Sequence, residues 1–228
     1  MDAVFLAVEI IGTVAFAIAG AIVAIDKETD LFGVVFLSVV TGFGGGLIRD
    51  TLIGNTPPLF FTNYIPVVAC VATALAVFLI AKALKSRYVA SEAAVCRINN
   101  YFDALGLGAF AVSGTEICMK AGFTHPFIAI TLGMISAVGG GMIRDLILRE
   151  IPFVLCKRVY AVAALAGAGA YYALIALGAH YVLSTVVGIA LVFIIRICAT
   201  VFKWSLPKAI VFSRLGEDER ETADSVGK

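Results

Sequence analysis

Charge is scarce in this chain: Lys, Arg, Asp and Glu make up only 14% of its 228 residues, against an apolar share of 61%. Soluble domains carry about 25% charged residues, so a fully water-facing surface is excluded, and a mean hydropathy of +1.01 points to an integral membrane protein. The 17 basic and 16 acidic residues nearly cancel to +1 and form no basic face for nucleic acid. Histidine is limited to His125 and His180, and the five cysteines (Cys70, Cys96, Cys118, Cys156 and Cys198) lack any Cys-x-x-Cys spacing. Neither a zinc site nor a disulfide framework is expected, and the cysteines read as small buried apolar residues. Asp2, with no Lys or Arg before the first apolar run, does not make the basic region of a cleaved signal peptide, so the first segment is expected to be retained. Ser113 and His125 stand apart from any nucleophile and base arrangement, and neither catalytic residues nor a cofactor are expected.

What the chain does have is long apolar runs. Seven windows, near 3–25, 31–53, 64–81, 101–119, 126–148, 159–177 and 181–202, each come close to the ~20 residues that cross a bilayer. The breaks between them are polar or proline-containing: Asp26–Asp30, Asn55–Pro58, the Lys82–Asn100 linker and Pro207. The charged stretch Gly216–Lys228 is expected to be disordered. With seven crossings, the loops after spans one, three and five share a side with the C-terminus. That side carries Lys27, Lys82, Lys85, Arg87, Arg97, Arg144, Arg149, Lys157, Arg158, Lys203, Lys208, Arg214, Arg220 and Lys228, against Arg49 and Lys120 on the other. The positive-inside bias therefore places the C-terminus in the cytoplasm and the N-terminus outside.

The chain is also duplicated. Gly44-Gly45-Gly46-Leu47-Ile48-Arg49-Asp50 returns as Gly139-Gly140-Gly141-Met142-Ile143-Arg144-Asp145, a shift of 95 (139 − 44 = 95). Upstream, Glu9, Gly12, Phe16, Ala17 and Gly20 match Asp103, Gly106, Phe110, Ala111 and Gly114 at a shift of 94 (103 − 9 = 94); downstream, Pro57 matches Pro152. An odd number of spans per copy turns the second copy upside down, as in many transport proteins. The expected fold is an all-α integral membrane protein of seven transmembrane helices, two inverted three-helix repeats plus a seventh helix. Its units are 1–84, the first repeat; 85–100, a cytoplasmic linker; 101–179, the second repeat; 180–206, the seventh helix; and 207–228, a cytoplasmic tail.

Each glycine costs a helix roughly 1 kcal/mol against alanine, and a bilayer excludes an Arg-Asp pair, yet both recur. A glycine triplet permits a kink and bares backbone carbonyls that can replace water around a cation; it also suits close helix packing, as Gly42-x-x-x-Gly46 does. Ser38, Thr41 or Gly42, Gly45 and Arg49 share one helical stripe, as do Ser136, Gly140 and Arg144, and this stripe is the predicted pore lining. The alternative is that the hydroxyls bond their own helix. Arg49 and Arg144 are expected either to gate a cation route or to lock the helices by pairing with Asp50, Asp145 or an acid of the other repeat. Glu9 and Asp103 occupy equivalent places at opposite mouths, where they would attract cations, solvate helix ends or pair with the motif arginines. Arg196, with Lys203, is expected to reach lipid phosphates at the cytoplasmic interface.

Seven spans in inverted repeats, each with Gly-Gly-Gly followed by Arg-Asp, resemble the prokaryotic branch of the trimeric intracellular cation (TRIC) channel family. The resemblance covers nearly the whole chain. It implies a homotrimer with a pore in each protomer, passing monovalent cations, potassium foremost and sodium as the other candidate. Kinked second and fifth helices, Gly44–Gly46 and Gly139–Gly141 among their residues, would line the pore. A plasma-membrane location among lipids follows for a short, prokaryotic-looking chain.

Related bacterial domains have also been labelled glycine transporters, so a secondary transporter of a small amino acid is the alternative. A seven-helix receptor gives no reason for the internal duplication. Leucine at Gly45 or Gly140 is expected to narrow a glycine-lined route and lower conductance while leaving a folded oligomer.

Overall fold

The computed structural model describes residues 3–84, 92–156 and 159–204. Among them the chain forms α1 (Ala3–Asp26), α2 (Leu31–Leu52), α3 (Leu59–Thr62), α4 (Tyr64–Ala83), α5 (Glu92–Lys120), α6 (Pro126–Ile147), α7 (Phe153–Cys156), α8 (Tyr160–Ala176) and α9 (Tyr181–Val201). Six of these are long and apolar enough to cross a membrane, and α8 is a shorter apolar helix of 17 residues, still within the spanning range. The seven spans agree with the predicted windows to within two residues except at the start of α5. There the helix begins nine residues early (101 − 92 = 9), so much of the expected linker is helical; 85–91, like the tail from 205 onward, lies outside the described residues.

Local chemistry explains the ends. The Asp30 carboxylate accepts the Gly33 amide at 2.8 Å and opens α2, Asn63 does the same for α4, and Pro126 sits in the first turn of α6, where its missing N–H is not needed. After α2 the chain leaves through Gly54 at φ +72°, and the equivalent residue after α6 is Arg149 at φ +57°. A left-handed residue is the common end of a helix.

The helices pack as two three-helix units, α1 with α2 and α4, and α5 with α6 and α8, joined by α1 against α5 and α2 against α6; α9 covers α5 and α8. Helix α5 is enclosed by neighbours, with an unbroken run of buried residues from Gly106 to Cys118. The α1/α5 seam is reciprocal: the Phe16 ring fills the space over Gly106, and the Phe110 ring lies over Gly12. The two rings stack at 5.4 Å. Gly20 and Gly114 are also covered inside the protomer, against Ser38 and Thr41 and against Ser136 and Gly133 respectively. These small residues therefore serve intramolecular packing, which in lipid depends on close backbone approach. Cys70 and Cys118 are buried as expected, whereas Cys96 is exposed.

Contacts at the helix ends establish the inversion. Lys27 after α1 pairs with Glu150 after α6 on one face. On the other, Lys120 at the end of α5 lies over the Phe5 ring near the start of α1, at 5.3 Å. Helices α2 and α6 thus run in opposite directions and cross at their glycine triplets. A Cβ on Gly45 would overlap the Ser136 carbonyl, and a Cβ on Gly140 would overlap the Thr41 carbonyl, at symmetry-equivalent places (136 − 41 = 95). Both helices run unbroken through the triplets.

This revises the expectation for leucine at Gly45 or Gly140: the side chain meets the opposing backbone, so the fold suffers first. Gly45→Ala or Gly140→Ala is expected to destabilise by at least about 1–3 kcal/mol, the cost of overpacking. The third glycines differ, since a Cβ on Gly46 or Gly141 meets nothing nearer than 3.5 or 3.7 Å. Gly46→Ala and Gly141→Ala should be neutral or stabilising, by up to about 1 kcal/mol of helix propensity. Thermal unfolding midpoints of the four variants in mild detergent check the contrast.

Candidate functional site

One turn beyond each glycine triplet an arginine folds back on its own neighbour. Arg49 donates Nε and Nη2 to Asp50 Oδ1 at 2.9 and 2.8 Å. Arg144 and Asp145 make the same pair at 2.9 and 2.8 Å. The second carboxylate oxygen accepts the first backbone N–H of the following short helix, Leu59 on α3 and Phe153 on α7, each at 2.9 Å. Sequence patterning missed α3 and α7; the paired Pro57 and Pro152 ahead of them were the available signal. All four charged residues are at most 3% exposed. At such burial only pairing and complete hydrogen bonding offset desolvation.

The copies then diverge. Arg49 Nη1 reaches across the crossing to Ser136 Oγ at 3.1 Å. Thr41 occupies the symmetry-equivalent place, but its hydroxyl bonds Leu37 O at 2.6 Å, and Arg144 Nη1 is buried without a hydrogen-bond partner among the described residues. Arg144 instead lies over the Phe153 ring at 5.5 Å. Ser38 bonds Val34 O and Ala17 O at 2.8 and 3.1 Å. Of the predicted stripe, Ser38 and Thr41 thus satisfy backbone carbonyls, Ser136 receives Arg49, and Gly45 and Gly140 form the closed crossing.

The mouth acids also differ. Asp103 is buried, with Oδ1 accepting from Tyr160 Oη at 3.2 Å and Oδ2 from Arg196 Nη2 at 3.4 Å. Arg196 lies over the Tyr160 ring at 4.6 Å and is only 6% exposed. The expectation that Arg196 reaches lipid phosphates is therefore overturned, because α9 delivers it inward to Asp103. Glu9, by contrast, has a buried Oε1 with no direct hydrogen-bond partner among the described residues, and its polar neighbours are the Ser113 hydroxyl and the Arg49-Asp50 pair. Glu116, on the same side, is held by Lys120 at 2.6 Å and Tyr181 Oη at 2.8 Å.

Each Arg-Asp pair borders a cavity, and the two linings correspond. Beyond the paired prolines the copies run at a shift of 94 (153 − 59 = 94), which sets Tyr160 opposite Pro66 (160 − 66 = 94). Gly46, Leu47, Arg49, Asp50, Leu59 and Pro66 in the first copy stand where Gly141, Met142, Arg144, Asp145, Phe153 and Tyr160 stand in the second. Glu9 and Asn63 complete the first lining. The first cavity has a volume of about 30 Å³ and the second about 0 Å³, and one water needs about 10–15 Å³.

Inverted repeats crossing at a glycine seam, with buried charge on both sides of it, define a multi-pass membrane protein of transport architecture. A family profile described as glycine transporter matches residues 6–82 and again 100–176, one match on each repeat. The chain is 45% identical over 168 residues to a UPF0126 membrane protein of Deinococcus radiodurans, covering 73% of this chain and 74% of that one. It superposes on the TRIC trimeric intracellular cation channel orthologue from Rhodobacter sphaeroides with a TM-score of 0.79 at 38% identity, over 89% of this chain and 100% of that one. A prokaryotic TRIC channel solved in 0.5 M KCl gives a TM-score of 0.81 at 32% identity, with coverages of 90% and 100%. The chain belongs to the prokaryotic TRIC channel family.

Asp145→Ala should destabilise the protein by about 3–5 kcal/mol, because it leaves Arg144 buried and uncompensated. Adding Arg144→Met should recover part of that loss. A double-mutant cycle on denaturation in lipid micelles measures the coupling.

Proposed function

We propose that this protein is a passive channel for monovalent cations, potassium foremost, assembled as a homotrimer with one pore per protomer. The observation that carries the reading is the series of buried polar groups on both sides of the α2/α6 crossing: Arg49, Asp50 and Ser136 with the buried Oε1 of Glu9 on one side, Thr41, Arg144, Asp145 and Asp103 on the other. Buried charge at this depth is expensive in a bilayer and marks ion pathways. The similar solved structures carry the words cation channel in their names, which supports conduction, and the trimeric assembly named for one of them supports the homotrimer. The glycine transporter description of the profile is an older label for the domain and gives no reason to prefer solute carriage.

In this reading the packed crossing is a closed state. Gly44–Gly46 and Gly139–Gly141 let α2 and α6 slide or bend past each other, and Arg49 and Arg144 gate the route by exchanging the partners that now lock them. The protein lies in the plasma membrane with its N-terminus outside and C-terminus cytoplasmic, as the excess of basic residues on one side supports. Single-channel recording in planar bilayers under a KCl gradient tests the proposal. Discrete currents reversing near the potassium potential are expected, and Ser136→Ala, which frees Arg49 Nη1, should change open probability more than unitary conductance. Folded oligomer without unitary current, together with saturable glycine flux, would sink the channel reading.

A further inference from the structure

The two halves of the molecule are not electrically equivalent. Around the second Arg-Asp pair, Asp103 and Asp145 face Arg144 and Arg196, two negative against two positive charges. Around the first, Arg49 is the one cation that faces Glu9 and Asp50 among the described residues, and Lys120 on that side is held by Glu116. The imbalance has a structural origin. Arg196 arrives on α9, which belongs to neither repeat, and among the described helices none packs on α1 as α9 packs on α5.

Shape follows charge. In the second copy the Tyr160 ring fills the cavity and its hydroxyl donates to Asp103. In the first, Pro66 replaces that ring and has no hydroxyl to give. What remains is a space of about 30 Å³ bordered by Glu9, Asp50 and Asn63, with Glu9 Oε1 buried and without a direct hydrogen-bond partner among the described residues. That volume suits one water or a bare ion of similar size. With only the Ser113 hydroxyl and an Arg49 already bound to Asp50 beside it, an ionised Glu9 inside a membrane protein is stabilised by a further positive partner.

We propose that the Glu9 cavity is a binding site for one monovalent cation, which occupies on the outer half of the protomer the electrostatic role that Arg196 plays, tethered, on the inner half. The proposal deepens the channel reading by naming where a permeating ion rests. Glu9 supplies the charged ligand; Asp50, whose oxygens already accept from Arg49 and Leu59, and Asn63, whose side chain caps α4, border the site, and Arg49, fixed on Asp50, sets the limit at a single positive charge. The asymmetry makes the outer half an exchangeable ion site and the inner half a permanently neutralised one.

The test uses the full-length protein in nanodiscs. Thermal midpoints are followed as potassium replaces choline at constant ionic strength, and potassium-minus-choline infrared difference spectra are taken on the same samples. Wild type should gain stability with potassium and show a perturbed carboxylate band. Glu9→Gln should lose that band and bind potassium at least about tenfold more weakly. If Glu9→Gln does not fold, Glu9→Asp, which keeps the charge but shortens the reach, should shift the potassium midpoint. A band unchanged in either variant, or a wild-type carboxyl that stays protonated in both salts, overturns the site. Currents from the same preparation separate the two readings. Potassium binding at Glu9 without current removes the channel and leaves the site, whereas current with no Glu9-dependent potassium effect removes the site and leaves the channel.

Discussion

The approach of two helix backbones at Gly45 and Gly140 is the constraint on which the rest of the molecule depends. No side chain fits there: a single added carbon on either residue overlaps a carbonyl of the opposite helix. Because the contact is backbone to backbone, it places Arg49 within reach of Ser136 and brings Thr41 beside the second triplet. In a bilayer, where apolar side chains gain little by leaving lipid for protein, such close approach is the main source of helix association. Reciprocal glycine and phenylalanine contacts along α1 and α5 repeat the principle at a second seam.

Much of this was legible in the sequence because the signals are long or repeated. Seven apolar windows, the shifts of 95 and 94 and the odd count of spans per copy were enough for an inverted-repeat membrane protein. The paired Gly-Gly-Gly and Arg-Asp phrases located the crossing and its flanking charges. Helix propensity could not say whether the triplets bend a helix or seat one helix on another, since both uses need the same small residues. The choice is made by what lies opposite, and in this conformation that is the Ser136 and Thr41 carbonyls.

Arg196 shows why a local reading fails for a long side chain near a helix end. Its position in the last span suggested an interfacial cation, but the direction it takes depends on where α9 docks, and α9 docks on α5 with Asp103 facing it. Likewise Glu9 and Asp103 look alike in the duplicated pattern, yet Tyr160 and Pro66 at one matched position give them different surroundings. Symmetry was readable from spacing; its breaking lies in contacts between segments far apart in the chain.

The pairing of Arg49 with the residue beside it has a consequence for how the protein is made. Helix α2 leaves the ribosome some ninety residues before its crossing partner α6 exists (139 − 44 = 95). Had its guanidinium relied on an acid of the second repeat, α2 would enter the membrane with a naked charge. Closing on Asp50 within one segment, it can be inserted already neutral and stay in the bilayer until its partner is synthesised. The duplicated Arg144-Asp145 pair closes within one segment in the same way, so neither motif arginine depends on the other repeat for its counter-charge.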